Sequence, residues 1–234
     1  MSIVTNIAAI QERIAAAARR AGRSAGDIAL MGVTKTHPPE RIREAYAAGL
    51  QLFGENRVQE FTAKANAVAD LAGAEWHMIG HLQTNKAPKA AELFYSVDSV
   101  DSEKLAEKLN VAAQAVGKKL PVLIEINVGG EAAKSGIAPD SPELEGLLLA
   151  APRLEALEFR GLMTVPPFTD DPEEARPFFR RLRELRNAIA SRKLPSIYLR
   201  ELSMGMSHDF EVAIEEGSTC VRVGTAIFGE RKTS

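Results

Sequence analysis

The residues of this sequence that are best suited to chemistry lie at the ends of short apolar segments. Lys35 follows one of them, residues 28–33 (Ile-Ala-Leu-Met-Gly-Val). A lysine held there among apolar, β-branched neighbours would lose part of its hydration, which favours the neutral amine, a nucleophile toward aldehydes. The alternative is a side chain that extends past the apolar segment into solvent and has no chemical role.

Two glycine-containing segments near the C-terminus have the composition of an anion site. They are Ser203-Met-Gly-Met-Ser207 and Arg222-Val-Gly-Thr225. Glycines allow the backbone to approach a ligand, while backbone amides and the Ser and Thr hydroxyls donate hydrogen bonds to phosphate oxygens. Each segment alone is typical of a structural turn. Together they predict a phosphate site, provided that the fold brings them side by side.

Arg222 lies two residues before Gly224, so in a strand both would face the same side of the sheet. We expect its guanidinium to point into the candidate site, where a buried charge needs partners. The alternative is a structural ion pair with an inward-facing acid such as Glu55.

The other candidates are weaker. A lone histidine such as His77 or His81 is more often a hydrogen-bonded structural residue than a base. Cys220 is the only cysteine, which excludes an internal disulfide and a clustered-cysteine metal site. It lacks a visible activating partner, so we predict an ordinary core residue. Common zinc, calcium and nucleotide motifs are absent from the sequence, and we predict no metal site.

These candidates depend on an alternation of short apolar segments with longer segments of helical period. The alternation recurs eight times, which predicts a single (β/α)8 barrel of the TIM type, with a doubly wound sheet as the alternative. In such a barrel the carboxyl ends of the strands form the active site, and the candidates above follow strand ends. The predicted strands are residues 28–35, 52–55, 76–80, 93–97, 122–128, 159–165, 198–203 and 221–225.

An additional helix is predicted to precede the barrel, at about residues 2–21. Four isoleucines recur there with helical spacing and would form one apolar face: Ile3, Ile7, Ile10 and Ile14. The barrel would take residues from about 28 to 230, and because no linker or change in composition follows, we predict one domain, 1–234. Near the C-terminus, Ser207 is predicted to cap a helix that includes Phe210 and Ile214.

The composition excludes several classes of function. The net charge is −2, which provides no basic surface for nucleic acid and no polybasic patch for membranes. No apolar run is long enough to cross a bilayer, and the N-terminus lacks the layout of a secretion signal. We therefore expect a cytoplasmic protein that binds neither nucleic acid nor membranes.

Six segments occur in the order Val33-Thr-Lys35, Phe53-Gly-Glu-Asn56, His77-Met-Ile-Gly-His-Leu-Gln83, Gly161-Leu-Met163, Leu202-Ser-Met-Gly-Met-Ser-His-Asp209 and Val221-Arg-Val-Gly-Thr-Ala-Ile-Phe-Gly229. This pattern resembles the pyridoxal phosphate homeostasis protein family, also called the YggS/PROSC family, over residues from about 28 to 230. The Ser-Met-Gly-Met-Ser-x-Asp segment with the downstream Arg-Val-Gly-Thr is highly specific. The resemblance implies the barrel of the N-terminal domain of alanine racemase, an enzyme of fold type III.

The resemblance also implies a cofactor, pyridoxal 5′-phosphate (PLP), which Lys35 would hold as a Schiff base. By the same resemblance Arg222 would face the pyridine nitrogen and Asn56 would lie near the ring. An arginine can only donate, so that nitrogen would be unprotonated and the cofactor a poor electron sink, which favours holding over catalysis. The residues that would hold the phosphate are Ser207, Gly224 and Thr225, with the amide of Met206 and Ser203 contributing.

We expect a PLP-binding protein that stores, buffers or delivers the cofactor without catalysis of its own. PLP-dependent enzymes would be its acceptors and the chain would be a monomer. The sequence stops a few residues after the eighth predicted strand, so we expect no second domain of the kind that fold-type III racemases use. The alternatives are a small PLP-dependent amino-acid racemase or transaminase, and a barrel enzyme that acts on another phosphate ester.

Overall fold

Eight parallel strands pair in chain order, and the eighth pairs with the first, so the sheet closes into a barrel. The structure is a computed structural model that describes residues 2–131 and 134–229. Closure confirms the (β/α)8 barrel and shows that the doubly wound alternative is wrong, because an open sheet would leave two edge strands. The strands are β1 (Ala29–Val33), β2 (Leu52–Glu55), β3 (Glu75–Met78), β4 (Ser96–Val100), β5 (Leu120–Glu125), β6 (Leu157–Met163), β7 (Ile197–Met206) and β8 (Cys220–Val223).

Helices surround the barrel and join consecutive strands. Several begin at serines that cap them: Ser102 Oγ accepts from Leu105 N, and Ser141 Oγ accepts from Leu144 N. The α-helices are α1 (Ile3–Arg20), α2 (Pro39–Ala47), α3 (Val58–Lys64), α4 (Ala87–Leu93), α5 (Glu103–Ala115), α6 (Pro142–Ala150), α7 (Arg176–Ser191), α8 (Phe210–Glu215) and α9 (Thr225–Phe228).

The N-terminal helix α1 packs on the last two helices of the chain, α8 and α9. Its four isoleucines are at most 4% exposed, as their spacing predicts. Asn6 Nδ2 also donates to Ile227 O at 2.8 Å, and Ser2 Oγ caps the first turn by accepting from Thr5 N. The helix thus links the start of the chain to the strand β8–helix α9 corner, which contains part of the predicted phosphate site.

Two local predictions are wrong. The fourth strand is Ser96–Val100 instead of 93–97, because Leu93 still belongs to α4, whose buried face includes Ala90 and Ala91. Ser207 does not cap α8: Asp209 occupies the N-cap position, and Ser207 Oγ instead accepts from Ala226 N in α9 at 3.4 Å. The second correction moves Ser207 toward the predicted site.

The interior of the barrel is partly polar. A cavity of about 260 Å³ at the amino-terminal end is lined by residues from all eight strands, among them Ala29, Leu123, Glu201 and Cys220, and therefore lies on the barrel axis. Because strand residues alternate between faces, the side chains two positions farther along point inward as well. That rule directs Met31, Glu125, Ser203 and Arg222 into the upper part of the barrel, toward the carboxyl ends of the strands.

Candidate functional site

Lys35 lies two residues beyond the end of β1, in the turn that leads to α2, and is half-buried. It follows Met31 and Val33 at the inward parity of that strand, so its stem starts from the barrel mouth. The turn is unusual because Thr36 has a φ of 65°, in the left-handed region that a threonine enters at a cost. The first strand is therefore confirmed but ends at Val33, so Lys35, predicted as its last residue, lies on a constrained turn beyond it.

Gly224 lies directly beside the end of β1. A Cβ at this glycine would be 3.5 Å from the backbone oxygen of Val33, so the β8–α9 corner touches the strand that leads to Lys35. Gly224 is the N-cap residue of α9, and Thr225, its first residue, is exposed. The first turn of a helix has backbone N–H groups without intrahelical acceptors, which suits an anionic ligand.

The segment Ser203–Ser207 forms the end of β7 and turns sharply at Gly205. That glycine has a φ of 94°, and a Cβ there would come within 2.9 Å of the backbone of Phe210, so the turn requires glycine. It brings Ser207 Oγ within 3.4 Å of Ala226 N, in the first turn of α9. The two glycine-containing segments of the sequence therefore lie side by side.

The amide of Met206 already has a partner, since it donates to Asp209 Oδ1 at 2.6 Å. Asp209 is buried, and its burial raises the pKa of the carboxyl, although this hydrogen bond and the charge of Arg222 oppose the shift. This hydrogen bond closes the turn after Gly205. The expected contact of the amide with phosphate stays a prediction.

Arg222 is 3% exposed and its guanidinium makes two hydrogen bonds inside the barrel, to Ser203 Oγ and to Thr164 O, both at 2.7 Å. Burial lowers its pKa, and nearby acidic groups, Asp98, Glu125 and Asp209 among them, offset part of that effect. The alternative ion pair with Glu55 is wrong, because Glu55 binds Lys64 Nζ at 2.7 Å. Ser203 thus orients Arg222 and lies below the mouth.

Asn56 follows β2 at the mouth and is half-buried. Its backbone touches Gly80, where a Cβ would be only 2.3 Å from Asn56 O, so the loops after β2 and β3 approach closely through a glycine. His81, the next residue, is mostly exposed and its Nδ1 contacts Asp101 Oδ2 at 2.9 Å. The structure brings Asn56 to the same end of the barrel as Lys35.

Sequence reasoning missed Glu125, at the end of β5. It is 5% exposed, Ser135 Oγ donates to its Oε1 at 2.9 Å, and its Oε2 has no hydrogen-bond partner within residues 2–131 and 134–229. Burial raises the pKa of Glu125, Asp101 adds to the shift, and Ser135 and Arg222 oppose it. The available signal was an acidic side chain inside the predicted apolar strand 122–128, which the structure ends at Glu125.

The remaining candidates lie at the other end of the barrel. His77 Nδ1 contacts Asp98 Oδ2 at 2.9 Å within the interior cavity. Cys220 lines the same cavity, and burial raises the pKa of its thiol to about 12, so it stays protonated as a core residue. Within residues 2–131 and 134–229, no group of acidic, histidine or cysteine side chains is arranged to hold a metal ion.

Comparison with known proteins gives a consistent result. The family model "Alanine racemase, N-terminal domain" matches residues 5–232. The pyridoxal phosphate homeostasis protein of Aquifex aeolicus is 47% identical over 233 residues, which is 99% of this chain and 100% of that protein. PipY of Synechococcus elongatus, solved with PLP bound, is 36% identical with a TM-score of 0.85, covering 97% of this chain and 100% of PipY.

More distant structures share the barrel alone. Alanine racemase of Clostridium difficile is 16% identical, with a TM-score of 0.73 over 100% of this chain and 58% of the racemase. Among the residues that the structure describes, no helix has the length and apolar character needed to cross a membrane. Since the family model spans nearly the whole chain and the full-length relatives exceed 40% identity, this chain belongs to the pyridoxal phosphate homeostasis protein family, whose fold is that of the alanine racemase N-terminal domain.

Proposed function

We propose that this protein binds PLP and takes part in its homeostasis, by storing, buffering or delivering the cofactor, and that residues 1–234 act as one domain. PipY, a structural relative over its whole length, was solved with PLP bound, and full-length relatives such as the Aquifex aeolicus protein are named for PLP homeostasis. A cytoplasmic location, a monomeric state and transfer to PLP-dependent enzymes remain predictions.

The observation that supports this proposal best is the contact between two corners of the barrel mouth. Gly224 touches the end of β1, which leads to Lys35, and Ser207 Oγ contacts the first turn of α9. These contacts support a site in which the Lys35 amine and a set of N–H and O–H donors face one ligand. PLP has an aldehyde and a dianionic phosphate, and these donors match those two groups.

Each side chain would then have a separate role. When bound, PLP supplies an aldehyde that the amine of Lys35 can hold covalently. Ser207, Gly224 and Thr225 would donate hydrogen bonds to the phosphate. Met206 would contribute its amide only if it released Asp209. The half-buried position of Lys35 would limit the access of water to the covalent link.

Arg222 would act on the far side of the cofactor from the phosphate. Its guanidinium is held in position by hydrogen bonds to Ser203 Oγ and Thr164 O, and a guanidinium can only donate hydrogen bonds. A ring nitrogen facing it would accept and stay unprotonated, so the cofactor would withdraw electrons weakly. With Asn56 near the ring, this arrangement supports retention of PLP in preference to turnover.

An absorbance spectrum of the purified protein tests the proposal directly. PLP added to the protein should produce a visible band from the covalent link, and borohydride reduction followed by peptide mass mapping should find the pyridoxyl group on Lys35. Lys89→Ala provides the matched control, because Lys89 is an exposed lysine that pairs with Glu92 and belongs to no part of the proposed site. It should behave as the wild type.

Lys35→Ala should abolish the visible band but keep weakened, reversible binding through the phosphate donors. Fluorescence titration with PLP measures that residual affinity. Equal PLP affinity in Lys35→Ala and the wild type would show that Lys35 is not the anchor. A wild-type protein that takes up no PLP at all would refute the proposed function.

A further inference from the structure

The turn that contains Lys35, residues 34–37, is held by a buried lysine on α3, the helix that follows β2. Lys64 is 7% exposed and lies on the face of α3 that also buries Val58 and Phe61. Its Nζ donates to Thr34 O at 2.9 Å and to His37 O at 3.4 Å. One ammonium group therefore bridges the two residues that flank Lys35 and Thr36.

Two carboxylates complete the arrangement. Lys64 Nζ pairs with Glu55 Oε1 at 2.7 Å and with Glu60 Oε1 at 3.2 Å. Glu55 Oε1 also accepts from Thr34 Oγ1, and Glu60 Oε1 accepts from the backbone amide of Thr36. We call Glu55, Glu60 and Lys64 the turn cluster. Each member contacts both a partner in the cluster and the turn.

The turn cluster also stabilises an unfavourable backbone conformation. Thr36 has a φ of 65°, a conformation that is unfavourable for a non-glycine residue and persists only where the surroundings enforce it. The backbone amide of this residue donates the hydrogen bond that Glu60 Oε1 accepts. Since Lys35 is outside the strand, the direction of its side chain depends on this turn.

A buried ion pair gains little net stability compared with apolar residues, because desolvation offsets most of the attraction. Glu55 is fully buried, and its burial raises the pKa of the carboxyl although Lys64 and Thr34 oppose the shift. A costly buried pair at the base of the lysine turn suggests a role in orientation.

We propose that the turn cluster, and Lys64 in particular, is a positioning device that holds the Lys35 amine in the orientation needed to capture PLP covalently. Lys64 acts through the backbone of residues 34–37 and touches no ligand. This inference rests on the proposed function for its ligand, but the contacts of the cluster do not depend on it. The cluster sets how fast the covalent link forms, while the phosphate donors after β7 and β8 set reversible binding.

Lys64→Met tests this role, because methionine keeps the packing volume and removes both bonds to the turn. The rate of covalent capture of PLP, followed by stopped-flow absorbance, should fall roughly tenfold or more, in line with the cost of misplacing a reacting group. Affinity for pyridoxine 5′-phosphate, which has the phosphate but no aldehyde, should stay within about twofold. Lys64→Met leaves the buried carboxylate of Glu55 without its partner and could prevent folding for that reason alone. In that case the double variant Glu55→Gln/Lys64→Met, which removes this charge, is measured in its place and should show the same slow capture.

Two further variants separate positioning from stability. Glu60→Gln keeps an oxygen acceptor for the amide of Thr36 and should capture PLP at nearly the wild-type rate, whereas Glu60→Ala should be slowed. Lys118→Met is the matched control. Lys118 also donates to a backbone oxygen, Phe94 O, but precedes β5 at the amino-terminal end of the barrel. It should leave the capture rate unchanged even if it lowers the Tm.

Equal capture rates in Lys64→Met and the wild type would overturn the inference, as would a parallel loss of affinity for pyridoxine 5′-phosphate. Failure of the wild type to bind PLP would refute the proposed function instead. In that case the positioning role can still be tested without PLP, by reductive methylation of the cofactor-free protein with formaldehyde and cyanoborohydride. Lys64→Met should change the labelling ratio of Lys35 to Lys89, measured by mass spectrometry, and an unchanged ratio would refute the positioning role.

Discussion

The carboxyl group of Glu125 is buried in the barrel, and only one of its two oxygens has a hydrogen-bond partner among the described residues. Oε2 is the oxygen without one, and burial raises the pKa of the carboxyl. A carboxyl whose pKa is higher in the folded than in the unfolded state disfavours folding when it is ionised. This penalty is absent below the ordinary pKa of glutamate and is complete above the raised value.

We therefore predict that Glu125→Gln stabilises the PLP-free protein. The amide oxygen can still accept from Ser135, while the charge is removed. At pH 8 the Tm should rise by about 2–4 °C, and the gain should disappear as the pH falls toward about 4. Calorimetry or thermal circular dichroism at several pH values measures this. Glu12→Gln, on the exposed face of α1, should not change the Tm, and a lower Tm for Glu125→Gln would contradict the prediction.

At the level of residues, the sequence predicts those site members that follow a strand end and have a distinctive type. Lys35 and the Gly224–Thr225 corner belong to this class, and the structure brings them together at the mouth. The pairing of Lys64 with Glu55 could not be predicted from the sequence, because it connects a helix with a neighbouring strand and depends on how the two pack. The Arg222–Glu55 alternative was wrong for the same reason.

Helix α1 is the element whose energetic role is simplest to isolate. Ile10 is 3% exposed and packs with the other three isoleucines, whereas Val4 on the same helix is 55% exposed. Ile10→Ala should lower the free energy of unfolding by about 2–5 kcal/mol, from lost burial and the cavity left behind. Val4→Ala should change it by less than about 0.5 kcal/mol.

Urea denaturation of both variants gives these free energies. The comparison is well matched, because both substitutions remove β-branched side chains from one helix and leave its caps in place. Equal, small effects would mean that α1 is not part of the cooperative core. Since α1 packs on α8 and α9, a large effect for Ile10→Ala would show that the helix supports the corner containing Gly224 and Thr225.

The β3–β4 pair contains a second testable group, His77, next to Asp98. Burial alone would lower the pKa of His77, but the charge of Asp98 and its hydrogen bond outweigh that effect, so the pKa is raised. A raised histidine pKa adds stability that is complete below the unfolded value of about 6.5 and is lost as the pH rises through the folded value.

His77→Gln should therefore cost about 1–3 kcal/mol at pH 5.5, the range for a hydrogen bond to a charged group, and progressively less at alkaline pH. The difference in unfolding free energy between variant and wild type across this pH range is the measurement. His81→Gln is the control, since His81 is exposed. A difference that does not vary with pH would contradict the assignment of a protonated His77.

Elements were predictable where their period was unambiguous. The i, i+4, i+7 spacing of α1 and the β-branched segments of β1 and β5 correspond to observed elements. The fourth strand was misplaced because residues 93–97 (Leu-Phe-Tyr-Ser-Val) form one apolar run, and periodicity does not separate the end of a buried helix from the start of a strand. In the structure α4 extends to Leu93 and packs against α5, and β4 begins only at Ser96.

For the whole molecule, the count of eight strand–helix units was enough to predict the closed barrel, because strand ends then converge on one face. Function was not predictable from that architecture. The barrel is shared with alanine racemase at 16% identity, and a fold shared at that distance does not transfer an activity. The choice between holding PLP and turning over an amino acid therefore depends on the arrangement of side chains around the mouth.

We predict that this arrangement disfavours racemisation. Arg222 can only donate to a ring nitrogen, and none of the three tyrosines lies at the mouth. Tyr46 is on α2 and donates to Ala72 O, while Tyr95 and Tyr198 line cavities at the amino-terminal end of the barrel. A two-base racemase needs a proton donor on each face of the cofactor, and the positions of these three tyrosines do not match that role.

We therefore predict that the PLP-loaded protein does not exchange the α-proton of amino acids. Proton NMR in deuterated water with a broad amino-acid panel should find exchange no faster than with free PLP at the same concentration. Lys35→Ala provides the background rate, and alanine racemase the positive control. Exchange well above that of free PLP, abolished in Lys35→Ala, would instead establish an enzyme. The donation by Arg222 would then not prevent carbanion chemistry, and Glu125, the buried carboxyl near Arg222, would be the first candidate for its base.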